Sequence, residues 1–128
     1  MEIRTEYESP LKLESLIISE CHFVRSEEPL GKLNLDVSVD RHVELLEAGK
    51  YRVSLELSIG DKEKKLEITV KCLAHFAMMQ EYSPLIEKNT LAIMFPYVRS
   101  YISTITAQPG MSPIVLPPMN IVSMFQDK

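Results

Sequence analysis

Near residue 90 the spacing of apolar residues changes from every second position to every third or fourth. A chain with that switch builds sheet first and covers it with helix afterwards. Before the switch, Leu33, Leu35, Val37 and Val39 alternate with Asn34, Asp36, Ser38 and Asp40, which predicts a strand over Lys32 to Asp40 that is wet on one face. Tyr51, Val53, Leu55, Leu57 and Ile59 repeat the pattern, and so do Leu66, Ile68, Val70 and Cys72 after Gly60-Asp61. Tyr51 to Ala77 therefore reads as a long antiparallel hairpin. Leu13 to Val24 is rich in Ile, Leu, Val and Phe with imperfect alternation and reads as one long strand. After the switch, Leu91, Met94, Phe95, Val98, Tyr101, Ile102 and Ile105 fall on one helical face. Asn89 or Thr90 is placed to cap that helix, Pro109-Gly110 to end it, and Pro96 to start or break it. Ser112 to Pro118 reads as a rigid extended segment, and Asn120 to Phe125 as a short apolar helix. The expected fold is α+β in a single domain spanning residues 1–128: a four-stranded antiparallel sheet with C-terminal helices packed on one face.

Composition removes several classes of function. Fourteen Lys and Arg, scattered along the chain, face eighteen Asp and Glu, so no clustered cations stand ready for nucleic acid. No stretch has the uninterrupted apolar length of a bilayer span, and the first residues lack a basic segment followed by an apolar one, so the expected address is cytoplasmic. Gly31, Gly49, Gly60 and Gly110 are isolated, which leaves no glycine-rich cradle for a nucleotide phosphate. His22, His42 and His75 lack partners at metal-ligand spacing, and Cys72-Leu73-Ala74-His75 has no matching half; neither metal nor cofactor is expected. Asp40-Arg41-His42 with Glu44 is a weak acid/base candidate, read as a polar connection between strands. Cys21 and Cys72 read as free, partly buried thiols, with a disulfide between adjacent strands as the alternative. Methionine recurs at Met78, Met79, Met94, Met111, Met119 and Met124; such side chains fill cores and also suit surfaces that accept many apolar shapes.

Two spaced motifs carry a resemblance. Phe95-Pro96-Tyr97-Val98-Arg99, opening an amphipathic run, is similar to the Phe-Pro-Tyr-Ala-Arg core of the SecB export-chaperone family, with Val98 in place of Ala. Pro113-Ile114-Val115-Leu116-Pro117-Pro118-Met119-Asn120-Ile121, followed by Met124-Phe125, resembles the family's Pro-x-Leu-x-Leu-x-Pro-Val-Asn-Phe segment. The resemblance implies an ATP-independent holdase without catalysis, a homotetramer built as a dimer of dimers, and unfolded polypeptides such as preproteins as clients. Its client groove would lie between the last helix and the second strand, at Leu35, Val37, Leu116, Met119, Val122, Met124 and Phe125. The facing apolar surfaces at Ile68, Val70 and Cys72 and at Val98, Ile102 and Ile105 suggest the subunit interface.

Departures from the family pattern bear on partners. The connection Ser26-Glu27-Glu28-Pro29-Leu30-Gly31 is short and offers only Leu30 where the family carries aromatic residues. The chain reads Gln126-Asp127-Lys128 where members often have a metal-binding tail that contacts the translocase motor ATPase. Of the acidic residues that the family offers this motor, Glu20 is retained, while Val24 and Thr69 occupy other such positions. General export, a dedicated client such as an antitoxin, and a non-chaperone assembly or regulatory role remain competing uses of this fold, and an acid/base enzyme using His42 is a further alternative.

Overall fold

The computed structural model describes residues 11–78 and 85–118, apart from the side chains of residues 85–87. The central hairpin follows from the cleanest alternation in the sequence. Strands β3 (Lys50–Gly60) and β4 (Leu66–Met78) pair antiparallel, and one face of each is buried along its length: Tyr51, Val53, Leu55, Leu57 and Ile59 against Leu66, Ile68, Val70, Cys72, Ala74 and Phe76. Lys64 takes a positive φ of 58° in the connection, and the Asp61 carboxylate accepts the Leu66 N–H at 3.0 Å, which closes the turn. Strands β1 (Leu11–Arg25) and β2 (Asp36–Glu47) flank the hairpin in the order β1-β4-β3-β2.

The imperfect alternation of β1 has a physical cause. Its register against β4 shifts between Leu13 and Ser15 and again between Ile18 and Glu20. Each shift inserts one extra residue, Glu14 and then Ser19, which resets which face the following side chains meet. Leu13, Leu16, Ile18, Cys21 and Phe23 consequently all oppose inward residues of β4 although their sequence parity changes twice. The Ser19 hydroxyl donates to the Lys71 carbonyl at 3.3 Å beside the second interruption.

Strand β2 differs from the sequence expectation. It starts at Asp36, so Lys32 to Leu35 precede it, and it runs to Glu47, so Asp40, Arg41, His42 and Glu44 lie inside the strand and form no connection. Arg41 occupies an inward position opposite Leu55, between Val39 and Val43, and that one polar residue on the apolar side hides the continuing period. The turn to β3 is Ala48-Gly49, with Gly49 at φ 77° and the Met78 carbonyl 3.0 Å from where a Cβ would sit.

Helix α1 (Leu85–Thr106) lies over β4 and β3. Leu91, Met94, Phe95, Val98 and Ile102 are buried on its inner side, with Tyr101 and Ile105 packed at the margin. Contrary to expectation, α1 passes through Pro96 unbroken, and Thr90 is a buried residue within the helix and not a cap. Proline forfeits the hydrogen bond to the Ala92 carbonyl. Ala92 and Pro96 lie on the exposed side of the helix, where the lost bond costs least, while apolar residues on both sides of Pro96 anchor to the same core. The expected short helix at Asn120 to Phe125 lies outside the described residues.

Candidate functional site

Two connections meet at one end of the sheet: residues 26–35, between β1 and β2, and residues 107–116, after α1. The last residue of β1 ties them together. The Arg25 guanidinium donates from Nε to the Ser26 carbonyl at 2.8 Å, from one terminal nitrogen to the Glu28 carbonyl at 3.0 Å, and from the other to the Gly110 carbonyl at 2.8 Å. Gly110 needs its freedom, because φ is 84° there. The Ser26 hydroxyl accepts the Glu28 N–H at 3.1 Å, and the Ser26 N–H donates to Lys65 at 2.8 Å, fixing the first connection to the hairpin.

The second connection is fastened to α1. Buried Thr106 donates its hydroxyl to the Ile102 carbonyl at 2.7 Å and accepts the Ile114 N–H at 2.8 Å, so one side chain ends the helix and docks the tail. Ser103 adds a bond to the Ile114 carbonyl at 2.8 Å. Leu116 then turns into the core, 3% exposed.

Between these connections lies a cleft of about 370 Å3, lined by Pro29, Leu30, Gly31, Leu33 and Leu35 on one side, Gly110, Met111, Ser112 and Ile114 on the other, and Leu66 of β4. Among the described residues, no acid, base or thiol lines it. What such a surface offers is apolar burial, worth about 25 cal/mol per Å2 removed from water. Among the described residues, no group of three potential metal ligands gathers anywhere.

The residues singled out in the sequence fall in several places. Leu35 lines this cleft, from the segment ahead of β2. Val37 stands inside β2 and borders a separate shallow depression with His22, Val24 and Thr69. Leu116 is core, and Met119, Val122, Met124 and Phe125 lie outside the described residues. Ile68, Val70, Cys72, Val98 and Ile102 are each buried within the single chain, and Ile105 is half-buried, so their burial requires no partner. Sequence reasoning missed Arg25, Ser103 and Thr106, whose partners are backbone atoms that no motif encodes, and also Leu33, Met111 and Ile114 as cleft walls.

On the outer face of the sheet, pairing sets Asp40, Glu56, Lys71 and Glu20 in one row across all four strands, and Asp36, Gly60, Glu67 and Val24 in another. His42 lies on this face with Glu44, Arg52, Ser54 and Lys71 around a shallow depression of about 180 Å3. This is a solvated strand surface of mixed charge, without an enclosed reaction space.

Comparisons with known proteins agree with one another. A protein of Methanocaldococcus jannaschii described as uncharacterised is 30% identical, over 90% of this chain and 82% of its own length. The protein-export protein SecB of Methylococcus capsulatus is 28% identical, over 83% of this chain and 70% of its own. Among solved structures, the Mycobacterium tuberculosis SecB-like chaperone in complex with a peptide from the HigA1 antitoxin superposes with a TM-score of 0.73 at 14% identity, covering 86% of this chain and 90% of that one. That likeness concerns the fold, the same four-stranded antiparallel sheet with a helix packed after it. The family model for SecB, preprotein translocase subunit SecB, matches residues 1–128. With that match over its whole length, the chain belongs to the SecB family.

Proposed function

We propose that this protein is an ATP-independent holdase that binds unfolded or extended polypeptides through the apolar cleft between residues 29–35 and 110–114. The observation that carries the reading is the cleft itself: an open lining without a charged side chain among the described residues, held in place by bonds to backbone. Binding an unfolded chain through side-chain burial alone needs no nucleotide, since the binding free energy itself withdraws the client from aggregation. Met111 on one wall and Leu30, Leu33 and Leu35 on the other can repack around different apolar side chains. Met119, Val122, Met124 and Phe125 are proposed to extend this surface.

The working form is proposed to be a homotetramer, a dimer of dimers in the cytoplasm. Helix α1 covers β4 and β3 and leaves the inward side of β2 half-covered at Val39 and Val43, with Leu45 62% exposed at its end. On the outer side of α1, Tyr97 is 52% exposed, next to the exposed Pro96. A second copy would cover such surfaces.

The test is aggregation suppression: a chemically unfolded protein is diluted into buffer with an excess of this one, with and without ATP. Light scattering should fall equally in both. Scattering that rises as fast as in the control sinks the holdase reading. The antitoxin peptide held by the M. tuberculosis structure favours a second reading, a dedicated client. One polypeptide co-purifying at fixed stoichiometry would select it over general export.

A further inference from the structure

We propose that Arg25 is the positioning residue that sets the width of the client cleft; this rests on the reading of that cleft as a client site. Its fork joins the two walls directly. Nε and one terminal nitrogen hold Ser26 and Glu28, which lead into Pro29, Leu30 and Gly31, while the other terminal nitrogen holds Gly110, which leads into Met111 and Ile114. The Gly110 bond spans 85 positions of sequence and is the guanidinium's link between walls that otherwise hang from different elements, the first from the hairpin through Ser26 to Lys65 and the second from α1 through Thr106 and Ser103.

The choice of side chain fits the task. Three carbonyls in three directions match a planar, always-charged fork, and a flexible ammonium does not hold them at fixed angles. Arg25 makes no ion pair among the described residues, so its charge is spent on backbone oxygens and its grip does not vary with the protonation of a carboxylate. Gly110 is called for by its backbone, at φ 84°, and not by crowding: a Cβ there would stand at an ordinary 3.5 Å from the guanidinium nitrogen. A wall pair fixed in advance costs a client less ordering than one that must close around it, which is the advantage of preorganisation.

The experiment uses the full chain and two labelled ten-residue peptides of the same polar sequence, one with two central leucines and one with two central tryptophans. Binding is measured to wild type, Arg25→Gln and Arg25→Lys, and amide hydrogen exchange is followed in each. With Arg25→Gln the leucine peptide should bind about tenfold more weakly. The tryptophan peptide should lose less, because parted walls admit the larger ring, so the leucine-to-tryptophan affinity ratio falls. Arg25→Lys should recover part of that ratio. Exchange should accelerate at residues 27–35 and 107–114 while β3 and β4 keep their protection. An unchanged ratio in Arg25→Gln overturns the proposal, as does an equal loss of both peptides with exchange accelerated throughout β3 and β4, which marks a role in the fold alone. If wild type binds neither peptide, the client reading of the cleft fails and the assignment of Arg25 falls with it.

Discussion

At the scale of single residues, the two thiols share a face and have opposite fates. Cys21 of β1 opposes Val70, and Cys72 of β4 opposes Ile18, so they are diagonal across the pair. Diagonal positions stand about 7–8 Å apart, beyond what a disulfide spans without backbone movement. Cys21 is exposed and Cys72 buried. The side-chain hydrogen bond between Tyr101 and Cys21, and secondarily burial, pushes the Tyr101 phenol up. Burial pushes the Cys72 thiol from its usual 9.0 to about 11. A maleimide probe at neutral pH should therefore label Cys21 within minutes and Cys72 only after denaturation; rapid double labelling of native protein would contradict the buried position. The same shift has a pH consequence. The unfolded thiol gives up its proton from about pH 9 while the folded one holds it to about 11, so the unfolded state binds fewer protons and stability falls through this window. The melting temperature of wild type should drop more steeply between pH 8.5 and 10.5 than that of Cys72→Ala, and parallel curves would show that the thiol contributes nothing.

At the scale of elements, β1 yields the sharpest expectation. A one-residue deletion inside a strand ordinarily turns half of its side chains the wrong way. Ser19 is already surplus to the ladder, and without it Leu16, Ile18, Cys21 and Phe23 follow one another at strict alternation. A chain lacking Ser19 should fold with a modestly lower melting temperature, whereas one lacking Val70 should not fold; circular dichroism of the two decides. The same details show why some elements were legible in the sequence and others not. Hairpin β3–β4 could be read because every inward position is apolar. The end of β2 could not, because Arg41 interrupts its period, and α1 was cut short because Pro96 carries a strong local signal that tertiary packing overrides. Of the cleft, Leu35 was anticipated and Leu30 noted as the apolar residue of its connection. The remaining wall depends on where residues 107–116 dock, which Thr106, Ser103 and Arg25 decide through backbone carbonyls and amides.

At the scale of the whole molecule, substitutions separate assembly from folding. Val70→Arg would place a charge at a fully buried site and reports on the fold. Leu45→Asp and Tyr97→Asp act on exposed positions instead, so they should leave the secondary structure intact and, if the proposed tetramer forms, shift light-scattering mass towards smaller species. A wild-type mass of a single chain at micromolar concentration would overturn the assembly. The cleft, in turn, is bounded by one connection early in the chain and one near its end. A ribosome delivering this polypeptide has released all four strands before the residues around Gly110 emerge. If the cleft is the client surface proposed above, the nascent protein until then lacks its finished form, and its own strands, the nearest unfolded polypeptide of all, would not be captured by it. On the proposed reading, self-capture would be avoided by the order of synthesis: all four strands are made before the surface that would hold other chains.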